Sequence, residues 1–489
     1  MAQAGSFACL VVGAALFGVV TRMTIPPLTW VALTLLLHAS RSMTAGAALP
    51  AIWIAFYVAL AIADLGILPV DGPPYFAIVA ALATVMAVPF AADRLVAPRL
   101  AGVRATLVFP MALVTAEFLR SRLVPGATWG SLAYTQYGYL ALMQVAAVAG
   151  IWGLTFLMGW FASTLEMAWS RGFDWSVVGL PVLTCTTVLG TVLVGGAARL
   201  ASAPTDRAAV RVATLNRPVD LFIPGEITRI AEGSVPPADY DRLNAKLARL
   251  HDWFLDGSRR EAHAGARIIV WPETSLLIFK EDEAAFLSRA QQLASDEHVF
   301  LAMGMGTVRR GAILPLENKL VVIEPSGRIS MSYLKSHPVA GWEAGIMRVG
   351  DGRVPVMAAS GRRIAGAICY DADFPEFIRQ AAQNSADLLI VPANDWKTIK
   401  DIHFHMHAFR AIETGLPVIR AAASGVSSAF DPWGRVLGVA DYFAEGDRTL
   451  TVQMPLGGVP TLYARIGDLF AWLCVAGVVL AVGTALVGR

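Results

Sequence analysis

Apolar runs of helical length crowd the first two-fifths of the chain. They lie at Gly5–Val20, Pro27–His38, Gly46–Asp64, Tyr75–Ala92, Ala105–Leu119, Val148–Met167 and Ser176–Ala197, and one more follows a long polar stretch at Ile466–Val487. Runs of this kind predict membrane-spanning helices. The first two are short, so a helical hairpin or a pair of tilted pieces fits them as well as two full spans, and the count of about eight carries that margin. The first run has no basic leader and many spans follow it, so it reads as an anchor and not a cleaved signal peptide.

Between Arg207 and Met454 the pattern changes. Short strand-like runs at Val210–Leu215, Arg267–Trp271, Val299–Gly304, Leu320–Glu324, Ile364–Cys369, Asp387–Pro392, Pro417–Ala422 and Thr449–Gln453 are interspersed with amphipathic helical stretches. The helices are expected at Tyr240–Leu255, Glu281–Ser295, Pro375–Asn384 and His403–Thr414. Such alternation predicts sheets covered by helices. Three regions result: a transmembrane bundle of about seven helices over 1–200, an α/β domain over 207–458 and a closing transmembrane helix over 464–489. Val235-Pro236-Pro237-Ala238 and Asp351-Gly352-Arg353 read as surface turns.

Composition agrees. The 489 residues are 56% hydrophobic, with a mean hydropathy of +0.56, well above the soluble norm. Only 16 of the 39 basic and 37 acidic residues lie at or before Asp206. A net charge of +2 is too small to attract nucleic acid, which is not an expected partner. Arg41, Arg94, Arg99, Arg104, Arg171 and Arg489 fall in loops on one side of the membrane, against Arg22, Arg120 and Arg122 on the other. Basic loops stay inside, which places the α/β domain outside the cytoplasm. Cys9, Cys185 and Cys474 sit in apolar runs and Cys369 stands alone in the polar domain, so no disulfide framework is expected.

Three segments of that domain carry chemistry: Trp271-Pro272-Glu273-Thr274-Ser275, Tyr333-Leu334-Lys335 and Ala367-Ile368-Cys369-Tyr370-Asp371. In order they supply a carboxylate, an ammonium and a thiol, each at or just after the end of a strand-like run. A thiol needs a base to become a nucleophile. The oxyanion formed on attack needs a cation or N–H donor. Chemically, Glu273 can accept the Cys369 thiol proton and Lys335 can favour both thiolate and oxyanion, while the Tyr370 N–H, next in the chain, is a natural second oxyanion donor. The competing reading is a buried structural Glu–Lys pair beside an inert thiol.

These segments, with Pro392-Ala393-Asn394-Asp395-Trp396 and Phe409-Arg410-Ala411-Ile412-Glu413, resemble the nitrilase (carbon–nitrogen hydrolase) superfamily. The helical envelope, Ala116-Glu117-Phe118-Leu119-Arg120-Ser121 and the aromatic stretch Trp129–Tyr139 resemble its membrane-embedded branch, the apolipoprotein N-acyltransferase family. The resemblance implies an αββα sandwich joined to a transmembrane bundle, in the bacterial inner membrane. It makes Glu273 the general base, Lys335 the oxyanion stabiliser and Cys369 the nucleophile. It implies a phospholipid acyl donor, a lipoprotein or other amine as acceptor, and no metal or organic cofactor. Glu343 matches a supporting carboxylate of the family, and a solvated loop charge is the other reading. His403, His405 and His407 lack a completed metal pattern and match a packing helix. Glu117 and Arg120 read as a structural pair at a membrane boundary.

Three features depart from the family. Only 34 residues separate Lys335 from Cys369, where a longer apolar loop is usual; Asp371 stands where Glu is usual; and Ala423-Ser424-Gly425 replaces an Asn-containing turn. Asn216–Pro237 is extended and holds Leu221-Phe222-Ile223-Pro224, either a local lid, a membrane-dipping loop or, the preferred reading, a plain surface loop. The first expectation is an acyltransferase working through a Cys369 thioester. A membrane-tethered amidase or nitrilase-like hydrolase is the second, and a non-catalytic membrane scaffold the third.

Overall fold

The computed structural model describes residues 2–204, 207–218, 221–223, 225–359, 361–445 and 448–487. Pro224 of the candidate lid and the terminal Arg489 lie outside them. The chain divides into two compact units, Met1–Ala203 with Arg465–Arg489, and Pro204–Ala464.

Among its described residues the first unit holds eight long helices: Ala2–Arg22, Pro26–Ser42, Ala45–Ala63, Pro73–Val96, Val103–Leu123, Ile151–Ser170, Trp175–Ala201 and Leu469–Val487. Every expected apolar run overlaps one of them. By length and composition, four stretches suffice to cross a membrane: Ala4–Arg22, Gly46–Ala63, Pro73–Arg99 and Trp175–Ala201. The run expected at Val148–Met167 is broken. Gly150, at φ 65°, ends one short helix, and Leu140–Ala149 meets Ile151–Ser170 at a 117° bend. The first two helices pack along each other as a hairpin.

Buried charge in this unit is partnered, as it must be where water is scarce. Arg41 donates to Asp93 at 2.8 and 2.9 Å and also to Glu166. Glu117 does not rely on Arg120 alone. It accepts from the Ser131 and Thr155 hydroxyls and the Leu132 N–H at 2.8–2.9 Å, while Arg120 donates to the Trp129 carbonyl.

The second unit is built on two six-stranded sheets. The strands are β1 (Ala209–Thr214), β2 (Ile268–Phe279), β3 (Phe300–Val308), β4 (Leu316–Ile323), β5 (Ile329–Leu334), β6 (Val356–Ala359), β7 (Arg362–Gly366), β8 (Leu388–Asn394), β9 (Val418–Ala423), β10 (Val426–Phe430), β11 (Val436–Asp441) and β12 (Leu450–Pro455). Their orders are β12-β1-β2-β3-β4-β5 and β11-β10-β9-β8-β7-β6. Parallel pairing is confined to β1-β2-β3 and β7-β8-β9, with antiparallel strands on both flanks. The central strand β2 packs face to face on β8 and β9, and this inter-sheet layer explains why Ile268–Trp271 is apolar on both faces.

Helices cover the outer faces. Tyr240–His263 lies on β2 and buries Leu243, Leu247, Leu250 and Phe254 along one stripe, the spacing a half-buried helix requires. Glu283–Asp296 covers β3 and β4, while Lys400–Thr414 covers β9 and β10 and packs against Pro375–Gln383. The result is the four-layer αββα sandwich. Phe254, Trp271, Phe286 and Met303 share one apolar cluster with almost no exposure, each buried side chain contributing about 1.5–3 kcal/mol.

Candidate active site

Glu273 sits in a break of β2. The register against β3 shifts between Trp271 and Leu276, and Thr274 takes a left-handed φ of 46°. Such a bulge re-aims a side chain. It is possible because β3 offers Gly304 opposite: a Cβ there would stand 2.2 Å from the Pro272 carbonyl oxygen. Glu273 is thereby turned inward and buried.

Lys335 follows β5, its N–H held by the Asn318 carbonyl at 3.0 Å. Its ammonium, 1% exposed, donates to Glu273 Oε1 at 2.8 Å and to Glu343 Oε2 at 2.7 Å. Asn318 Nδ2 spans the same two carboxylates, at 2.7 Å from Glu273 and 3.2 Å from Glu343. Glu343 also accepts from the Val339 N–H at 2.8 Å. It is buried, so the solvated-charge reading is corrected. Burial opposes the charge on Lys335, but the Glu273 and Glu343 carboxylates hold its ammonium well above the usual lysine range. Burial and then the Glu343 charge raise the Glu273 carboxyl, against the pull of Lys335 and the Asn318 amide. A carboxyl so placed can both take and return a proton.

Cys369 lies beyond β7, opening the tight turn Cys369–Asp373. Its backbone is left-handed, φ 46°, a costly conformation for a side chain other than glycine or asparagine. The expected strand Ile364–Cys369 therefore ends early, at Gly366. Asp371 explains what holds the turn. Its oxygens accept from the Tyr333 hydroxyl at 2.8 Å, from the N–H groups of Ser336, His337 and Ile368 at 2.9–3.2 Å, and from His337 Nδ1 at 2.8 Å. The shorter carboxylate thus fastens the Cys369 turn to both flanks of Lys335. Burial first, then the Glu273 charge, push the Cys369 thiol well above its usual range, with Lys335 pulling it down. Its Sγ lies 3.8 Å from the Asn394 carbonyl oxygen. Tyr370 is half-buried, its ring edge-on to Phe374.

Behind the thiol lies a buried ion network. Arg420 clasps both oxygens of Asp395 at 2.7 Å. His403 bridges Asp395, 2.8 Å from Nδ1, and Asp373, 3.1 Å from Nε2. Cys369, Asp395 and His403 bring their ligand-capable atoms within 4.8 Å of one another. The set does not fit a metal ion. Both His403 ring nitrogens face carboxylate oxygens, of Asp395 and Asp373, so both are engaged as donors and neither has a lone pair to give. The three helix histidines do not converge: His407 Nδ1 bonds the His403 carbonyl at 2.7 Å, and burial lowers His405 to about 4.

Asn318, Asp395 and Arg420 had no site role in the sequence reading, where Asp371 stood as a shortened supporting carboxylate. The signal for Asn318 was Glu317-Asn318-Lys319, three polar residues inside an otherwise apolar strand. All three are buried.

Residues 237–462 match the carbon–nitrogen hydrolase family, and residues 12–164 match the apolipoprotein N-acyltransferase N-terminal domain. The chain is 30% identical over 415 residues to an apolipoprotein N-acyltransferase of Geobacter metallireducens, covering 78% of this chain and 75% of that protein. It is 28% identical to one from Rhodopseudomonas palustris, covering 77% and 73%. Among solved structures, an amidase from Nesterenkonia sp. overlaps 56% of this chain and 98% of its own, with 20% identity and a TM-score of 0.41. With two of that family's parts in order and similarity along three-quarters of its length, the chain belongs to the apolipoprotein N-acyltransferase family.

Proposed function

We propose that the protein transfers a fatty acyl chain from a phospholipid, through a thioester on Cys369, to the N-terminal amine of a diacylated lipoprotein. The observation that carries this reading is the buried Lys335 ammonium, 2.8 Å from Glu273 and 2.7 Å from Glu343, whose charge acts directly on the Cys369 thiol. In the first half-reaction Sγ attacks the ester carbonyl. The thiol proton passes to Glu273, the C–O bond breaks, and Glu273 returns the proton to the departing lysophospholipid oxygen. In the second, the amine attacks the thioester, the C–S bond breaks, and the amine proton returns to sulfur through Glu273. Lys335 stabilises both oxyanions, joined by the Tyr370 N–H. Glu343 fixes the ammonium.

The apolar helices of the first unit support a lipid donor, and basic residues in their short loops support an extracytoplasmic catalytic domain. The domain limits proposed are 1–200 and 464–489 for the membrane part and 207–458 for the catalytic part. The test is a diacylated lipopeptide with a free α-amine, offered together with phospholipid. The acyl group is expected on nitrogen. Free fatty acid accumulating alone would replace transfer with hydrolysis.

A further inference from the structure

We propose that His403 is a positioning residue for the nucleophile, holding Asp373 and Asp395 in place and completing, with Arg420, their neutralisation so that negative charge can form on Cys369 Sγ. The inference rests on Cys369 being the nucleophile, as proposed above.

The geometry is that of a brace. Asp373 closes the turn that Cys369 opens, and Asp395 follows Asn394, whose carbonyl faces Sγ. His403 joins the two aspartates, one to each ring nitrogen, so the nucleophile turn and the end of β8 are tied through one imidazole. Asp395 has little freedom: its N–H bonds the Ala423 carbonyl at 2.9 Å. Any side chain at Gly425 would meet its Oδ2 at 2.2 Å. A carboxylate locked this close to sulfur opposes a thiolate.

Charge decides the matter. Asp373, Asp395, Arg420 and protonated His403 sum to zero, and without the histidine proton the set is left at −1. From the other elements facing the thiol, Glu273 on β2 adds negative charge and Lys335 after β5 adds positive charge. Glu343 is bonded to that same ammonium, and Asp371 is committed to the β5 end. Arg420 clasps Asp395 and offsets one of the two aspartates, and none of these groups offsets the second in place of His403. The imidazole, raised to about 9 by its two aspartates, carries its charge at neutral pH.

The test is the pH dependence of Cys369 alkylation by iodoacetamide in the full-length protein in detergent, read by peptide mass with Cys369→Ala as background. His403→Gln is expected to react about tenfold more slowly at neutral pH, with its midpoint moved to higher pH, and with KM for phospholipid unchanged. Adding Asp373→Asn restores the net charge and is expected to recover most of the rate. A parental midpoint in His403→Gln, or no recovery in the double variant, overturns the proposal. Should His403→Gln not fold, carbon-13 histidine spectra of the parent decide. One imidazolium persisting above pH ~8 supports the brace, and eight neutral histidines at that pH overturn it. A parent whose Cys369 is not alkylated at all overturns the nucleophile reading itself, and this inference with it.

Discussion

The Tyr333 hydroxyl donates to Asp371 at 2.8 Å, joining the strand that leads into Lys335 to the turn that presents Cys369. The Lys335 and Cys369 loops come from different sheets, and this buried contact sets their spacing. Removing the hydroxyl in Tyr333→Phe leaves Asp371 its backbone donors, so a loss of about 1–3 kcal/mol is expected, with turnover falling more than KM rises. Asp371→Ala removes every bond and is expected to abolish turnover. Chemical denaturation and steady-state kinetics check both, and an active Asp371→Ala contradicts the role given to this carboxylate.

Asn318 holds Glu273 and Glu343 with one amide nitrogen. Hydrogen bonds to a carboxylate favour its charged form, so Asn318→Leu raises the Glu273 carboxyl further. Less of the base is then ionised at a given pH. The acid limb of kcat/KM is expected to move to higher pH, with about a tenfold loss at neutrality. An unmoved acid limb would show that the amide does not tune the base.

Gly304→Ala tests the bulge. Its Cβ would stand 2.2 Å from the Pro272 oxygen and 2.8 Å from the Glu273 Cα, so the backbone carrying Glu273 must shift. A loss of about 1–3 kcal/mol is expected, with turnover reduced beyond what the folded fraction explains. Thermal melting beside activity separates the two.

The ion network gives stability a pH signature. His403 rises from 6.5 to about 9 on folding, so its contribution is complete below pH 6.5 and is lost as pH climbs through 9. Asp395 falls from 3.8 to about 2, so its contribution is complete above pH 3.8 and is lost as pH drops towards 2. Denaturation midpoints are expected to decline on the alkaline side, and His403→Gln should flatten that decline.

Much of this architecture was legible in the residues. The apolar runs located the long helices, because lipid tolerates few charges. The interior strands β2, β3, β8 and β9 were legible because both faces are buried, and β1 through its buried end at Val212, Ala213 and Thr214. β5, β6, β10 and β11 were not. Arg362 and Arg363 mark a polar start to β7, and β11 exposes Val436 and Val439 on a half-wet edge, where alternation carries little signal. Glu273, Lys335 and Cys369 announced themselves by residue type and position. Asn318 and the His403 brace did not, and Asp371 showed only as a shorter carboxylate, since their meaning lies largely in partners 25 or more positions away in sequence: Asp371 with Tyr333 and His337, Asn318 with Glu273 and Glu343, His403 with Asp373, Arg420 with Asp395.

Loss of either charged partner of the nucleophile should act on turnover more than on lipid binding. Lys335→Met is expected to cost about 10²–10³ in rate, and Glu273→Gln at least as much, since the amide keeps the shape and cannot take a proton. Both variants are expected to insert and purify like the parent. Near-parental turnover in both would return the Glu–Lys pair to a purely structural role.

The most direct measurement is the intact mass of the purified protein after exposure to phospholipid. One acyl chain is expected on Cys369, released by hydroxylamine as a thioester and absent from Cys369→Ala. Acylation that persists in Cys369→Ala would contradict the account.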